Sequence, residues 1–304
     1  MAPTVSDVAV AAPLQVELAE EDWTASASAH RERAELFLAP HRHRAAVGIP
    51  HPVWDFLFSY YSLRPAALSA WHPGFGVGLT GARAVRGYLG RTGYVRYGNG
   101  DRVTVDAAHL NSRRDTVRFV AQLLRATASR PGALNCFGMH EWAMVYRSPD
   151  VRHQRVPLRL GAAGTDAVVE SVPLRCSHFD AYRFFTADAV PRNATALSRA
   201  RQVETEQPGC LHANMDLYKW CYKLSPLLES GLLLDCLELA AAAREVDMRA
   251  SPYDLSGYGF TPIRVEEAAG RSEYVRCQSQ IAQRAVPLRA VLADRCDLLL
   301  GFAA

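Results

Sequence analysis

LHANMDLYKWCYKLSPLLESGLLLDCLELAAAAREVDMR, residues 211–249, decides the fold class. Apolar residues recur at helical spacing, and the stretch reads as two helices, Leu211–Leu224 and Leu228–Arg249. Its most apolar part, Leu232–Ala243, is broken by Asp235 and Glu238, short of the ~18 uncharged residues of a membrane span. Downstream, Tyr274–Leu300 predicts a further long helix with a kink or break at Pro287. Upstream, helices are expected over Glu21 to about Val47, Ala66–Trp71, Cys136–Tyr146 and Phe179–Phe185. Another, capped by Asn111 or Ser112, runs to Ala128 with Val117, Val120, Leu123 and Leu124 on one side.

The exception lies between Gly81 and Ala107. Tyr94–Tyr97, the turn Gly98-Asn99-Gly100-Asp101, and Arg102–Val105 form a hairpin signature. Leu158–Leu160 and Val168-Val169 read as short strands, and residues 1–20 as a flexible arm. The expected architecture is mainly α: one multi-helical domain over residues 21–304 with a small β hairpin.

Composition narrows the function classes. Of 304 residues 49% are hydrophobic and 21% charged, which excludes wholesale disorder and coiled coil. The N-terminus has no basic n-region and turns acidic, so a cytoplasmic protein without membrane association is expected. A net charge of +3 favours a small substrate over DNA. Seven cysteines with no CxxC pair predict free thiols instead of disulfides or a zinc finger. All but two of the 34 basic residues are arginines. A lysine-dependent mechanism is therefore confined to Lys219 and Lys223.

Three segments place titratable groups inside aromatic runs: CFGMHEWAMVYR (136–147), RCSHFDAYRFF (175–185) and EQPGCLHANMDLYKW (206–220). Each carries Cys, then His, then an acid: Cys136/His140/Glu141, Cys176/His178/Asp180 and Cys210/His212/Asp216. Burying unpaired charge costs several kcal/mol, so the three sets either pair locally or converge on one pocket. Convergence makes Glu141, Asp180 and Asp216 candidate catalytic carboxylates, with His140, His178 and His212 as acid–base partners or as ligands of a divalent Fe, Mn or Zn ion. A fourth cluster contains Arg244, Glu245, Asp247, Arg249, Tyr253 and Asp254 at a helix end. It predicts a substrate clamp in which Arg244 or Arg249 forks onto an anion, with Trp142 and Tyr182 as further substrate contacts.

HPVWDFLFSYY (51–61), WHPGFGVGL (71–79), CFGMHEWAMVYR (136–147), SHFDAYRFFT (177–186), EQPGCLHANMDLYKW (206–220) and MRASPYDL (248–255) resemble an actinobacterial family whose members are labelled 3-methyladenine DNA glycosylase. The similarity runs from about residue 20 to the C-terminus. It implies a hydrolase of N-glycosidic bonds acting in DNA repair, with no cofactor required. Under that reading Pro73-Gly74-Phe75-Gly76 resembles the turn whose backbone N–H groups hold DNA phosphate in helix-hairpin-helix glycosylases, followed by Val105-Asp106. With no lysine near this turn, such an enzyme would be monofunctional, and Tyr60, Tyr61 and Trp71 could join Trp142 and Tyr182 around an extruded base. Three readings follow: an N-glycosidic hydrolase acting on DNA or a nucleoside-like molecule, a metal-dependent enzyme acting on a small metabolite, and a non-catalytic nucleic-acid-binding protein.

Overall fold

The computed structural model describes residues 14–149 and 156–302, so most of the expected N-terminal arm lies outside the described residues. Among them are twelve α-helices and one four-stranded sheet. The chain opens with β1 (Val16–Leu18) and α1 (Glu20–Val47), then α2 (Phe56–Ser59), α3 (Pro65–Leu68), β2 (Val77–Thr80) and α4 (Ala82–Tyr88). The hairpin β3 (Tyr94–Arg96) and β4 (Arg102–Val105) leads into α5 (Ala107–Ala128). Short helices follow: α6 (Met139–Ala143), α7 (Gly161–Ser171), α8 (Phe179–Tyr182) and α9 (Gln202–Thr205). The long helices α10 (Leu211–Lys223), α11 (Ser230–Arg249) and α12 (Ala268–Phe302) complete the order of elements. The fold is mainly α, as the periodicity predicts.

The expected hairpin forms, and it belongs to a larger sheet in the order β1-β2-β4-β3. β1, within the expected arm, pairs parallel to β2 with Val16 opposite Val77. Three other expectations are corrected. α5 begins at Ala107, because Asp106 directly after β4 caps it by accepting from the Ala108 amide at 3.0 Å. Val168-Val169 lies inside α7, an apolar pair too short for periodicity to separate strand from helix. α12 continues through Pro287, which sits at an exposed position, as does Gln283 one turn before it. Water can therefore satisfy the carbonyl that the proline leaves without a donor. Among the described residues, no helix is long and apolar enough to cross a membrane.

Packing centres on α10, which lies against α11 and α12, while α5 covers another side of α12. Every residue of α10 from Leu211 to Cys221 is buried. A second tie is ionic. Asp55 accepts from His41 at 2.8 Å, from Arg44 Nε at 3.0 Å and from the His51 amide at 2.8 Å, fastening the end of α1 to the segment before α2. Burial alone would raise the Asp55 carboxyl, but Arg44, His41 and the His51 amide hold it down at about 2.

Asp55→Asn should therefore cost about 2 kcal/mol at neutral pH, the scale of hydrogen bonds to a charged group. The folded pKa lies below the unfolded value of about 3.9, so the wild-type advantage is complete above that value and shrinks as pH falls toward 2. Urea unfolding of both proteins at pH 7 and pH 2.5 checks this. An equal gap at both values would assign the loss to packing.

Candidate functional site

α10 carries His212, Asp216 and Lys219 into the core on neighbouring turns, all buried. Four other segments meet them. α6 brings His140 and Glu141, and its entry is fixed by Gly138 at φ 68°, where an added Cβ would come within 3.2 Å of Ala250 and 3.3 Å of Tyr274. The start of α8 brings His178 and Asp180, the residue after α9 is Glu206, and α11 brings Arg244 and Asp247 one turn apart.

The three histidines converge, as expected for a shared pocket. The His140 and His212 rings meet edge to face at 4.4 Å between centroids, and those of His178 and His212 lie 5.4 Å apart. Around them the polar groups fall into two sets. In each, one donor atom from every member lies within 4.8 Å of the others: His140, His212 and Asp247, and His178, Glu206 and Asp216.

The second set is closed by ions. Lys219 Nζ donates to Asp216 Oδ2 and, at 3.0 Å, to Asp180 Oδ2. Asp180 Oδ1 accepts from Arg199, whose side chain is half-exposed. His178 Nε2 sits 3.1 Å from Asp216 Oδ2 and 3.4 Å from Glu206 Oε1, and Gln202 donates to the same Glu206 oxygen at 2.5 Å. Burial works against the His178 imidazolium, but Glu206 and Asp216 pull its pKa above the ordinary value. Burial likewise opposes the Asp216 carboxylate, yet Lys219 and His178 hold its pKa well below the carboxylate range. This set is an ion-pair network.

The first set is different. Arg244 Nη1 donates to Glu141 Oε1 at 2.8 Å and to Asp247 Oδ2 at 2.7 Å, with the guanidinium 3.8 Å above the Phe56 ring. Asp247 Oδ1 lies 2.8 Å from His140 Nε2. Yet the contact is off hydrogen-bond alignment, and neither atom has a hydrogen-bond partner among the described residues. Burial, helped by His140, pushes the His212 imidazole down to about 3, so it is neutral and offers a lone pair. Burial would raise Asp247, but His140, His212 and Arg244 keep it ionised. Two imidazoles and one carboxylate, with an imidazole nitrogen and a carboxylate oxygen close but not bonded to each other, is how ligands arrange around a shared ion. His140 and His212 also line a pocket with Cys136, Cys176, Cys210 and Tyr274. Its volume of about 10 Å³ is room for roughly one water.

Several expected site residues lie elsewhere. Arg249 donates to the Thr261 carbonyl at 2.9 Å and to Glu273 at 3.2 Å, so it clasps α11 to α12 instead of forking onto a ligand. Asp254 caps the Ser256 amide at 2.9 Å, and Tyr253 is buried in a satellite core with Val53, Val145 and Met248. Trp142 is core, its indole N–H donating to the Ala250 carbonyl at 2.8 Å, and Tyr182 packs on Phe185. The Pro73-Gly74-Phe75-Gly76 turn is packed on residues 227–229. The Phe75 amide donates to the Leu227 carbonyl at 3.0 Å, and a Cβ at Gly74 would come within 3.2 Å of the Glu229 nitrogen, so this turn is a packing contact.

Conversely, Glu206 and Lys219 are central although the sequence pattern does not mark them as the site, and Asp247, grouped there with a substrate clamp, turns inward onto His140 and Arg244. The available signals were the i,i+3 pairs Asp216–Lys219 and Arg244–Asp247 on apolar helices. No family model, no curated protein and no solved structure matches this chain.

Arg244→Met should lower stability by about 3–5 kcal/mol, because it strips a fully buried carboxylate, Asp247, of its cation. Arg249→Met, at a partly exposed pair, should cost about 1 kcal/mol or less. Denaturant titration of the two variants separates them. Comparable losses would show that the Arg244 cluster is no more buried in solution than the helix end.

Proposed function

We propose that this protein is a metal-dependent enzyme acting on a small substrate, with His140, His212 and Asp247 holding a divalent first-row ion. One observation carries this reading: His140 Nε2 and Asp247 Oδ1 are buried and face each other at 2.8 Å, an ion pair outside hydrogen-bond alignment, beside the neutral imidazole of His212. A poorly aligned pair recovers only part of what burial of both groups costs, and an ion held between them would satisfy both atoms at once. Two imidazoles and a carboxylate suit Fe(II), Mn(II) or Zn(II). Such an ion would supply Lewis acidity and lower the pKa of a bound water, in the case of zinc from 15.7 to about 7. Arg244 orients the Asp247 carboxylate through its other oxygen. The adjoining His178 and Glu206, both raised above their ordinary values, can take up or deliver a proton. The pocket beside His140 and His212 sets the scale of what reaches the ligands: a water-sized reactant or the small end of a metabolite.

Cleavage of an N-glycosidic bond is the second reading, supported by Glu206. Burial pushes its carboxyl above the ordinary value, as a general acid requires. It is ranked second because a base ring needs far more room than about 10 Å³. A non-catalytic nucleic-acid binder has no use for this buried His/acid cluster.

Protein loaded with Fe(II), Mn(II) or Zn(II) and desalted should retain the ion through His140, His212 and Asp247. Asp247→Asn or His140→Ala should weaken binding by at least about 100-fold by calorimetry, with helix content unchanged. Release of 3-methyladenine from alkylated DNA by metal-free protein, insensitive to chelator, would overturn the metal reading in favour of the second.

A further inference from the structure

The His178, Glu206 and Asp216 set has the donor chemistry of a metal site, and one of its carboxylates, Asp216, is already held by a lysine. The three residues come from different segments, are all buried, and present one donor atom each within 4.8 Å of the others. His178 Nδ1 is buried without a hydrogen-bond partner among the described residues, so the set is not fully satisfied by the protein around it. Lys219, one turn along α10, reaches back and places its ammonium on Asp216 Oδ2, the same oxygen His178 Nε2 approaches at 3.1 Å. Asp180, on the far side of the ammonium at 3.0 Å, completes its cradle.

We infer that Lys219 stands in for a second cation: His178, Glu206 and Asp216 form a latent metal site that this side chain keeps closed, so that the centre takes one ion instead of two. The choice of residue fits the task. All but two of the 34 basic residues of the chain are arginines, yet this buried position holds a lysine. An ammonium is a compact point charge with three rotatable donors, closer to a bare ion than a planar guanidinium is. It supplies one positive charge where a divalent ion would supply two, and Asp180 with Arg199 adjusts the balance from the surface side. A divalent ion and Lys219 compete for the same carboxylate, so removing the ammonium opens the set. The inference extends the metal reading above, but its readout is a difference between variant and parent, so the two fail separately.

The test counts ions. Wild type, Lys219→Ala and Lys219→Met are loaded with Mn(II) or Zn(II), desalted, and analysed for metal per chain, with circular dichroism confirming the fold. Because removing Lys219 leaves Asp180 and Asp216 without their shared cation, the double variant Asp180→Asn/Lys219→Ala provides a version with less uncompensated charge. Each Lys219 variant should hold one equivalent more than wild type, and adding Glu206→Gln should remove that extra ion. With Mn(II), the isolated-ion resonance of wild type should give way to that of an interacting pair. A folded Lys219 variant with the wild-type count overturns the inference, and so does wild type that already holds two ions. Wild type with none and variants with one would keep the latent site while retiring the His140/His212/Asp247 centre.

Discussion

Burial of charge on α10 is the constraint from which the rest of the molecule follows. A helix enclosed on every side would ordinarily be apolar all round. This one carries His212, Asp216 and Lys219 in its enclosed stretch. Each must find a partner, since an uncompensated ion in the interior costs several kcal/mol. The partners come from short helices and turns with little periodicity of their own: His178 and Asp180 at α8 and His140 on α6. Electrostatic closure therefore fixes segments that hydrophobic patterning leaves loose. α11, against which α10 packs, repeats the same device with Arg244 and Asp247.

The two halves of the cluster use similar residue types and differ in how they close. Around Asp216, lysine, imidazole and carboxylate form a network that reaches solvent through Asp180 and Arg199. Around Asp247, the guanidinium occupies one carboxylate oxygen and the other faces a histidine nitrogen at contact distance without a bond. The distinction between an ion-pair network and a ligand set rests on these partnerships, and residue identities alone do not reveal it.

That explains what was legible in the sequence. The three Cys-His-acid segments stood out because polar groups inside aromatic runs must be accounted for, and their histidines meet. The long helices and the hairpin followed from periodicity. Asp247 and Glu141, by contrast, are joined through Arg244, 103 residues along the chain from Glu141, and no local pattern encodes such a pairing. Arg244 and Arg249 looked interchangeable as anion clamps. At about 100° per residue, Asp247 falls near Arg244 on the inner face of α11, whereas Arg249 is turned by roughly 140°. It consequently meets Glu273 of α12 and the Thr261 carbonyl. The glycine-rich turn at Pro73–Gly76 misled for the opposite reason: Gly74 serves close packing on residues 227–229, which the same residue type signals equally well.

The repeated order of cysteine then histidine has its own physical logic. Cys136, Cys176 and Cys210 line the pocket into which His140 and His212 open. Burial raises all three thiols, Cys176 to about 12 and Cys210 far above its ordinary value, so they remain protonated at neutral pH. A thiol must lose its proton before it can bind a metal. Burial acts on His212 in the opposite direction, pushing it down to about 3, and so leaves its lone pair free at the same pH. One cause, removal from water, thus turns the sulfurs into an uncharged wall and the His212 imidazole into a potential ligand. His178 escapes this sorting because Glu206 and Asp216 outweigh its burial and draw it into the ion-pair side of the cluster.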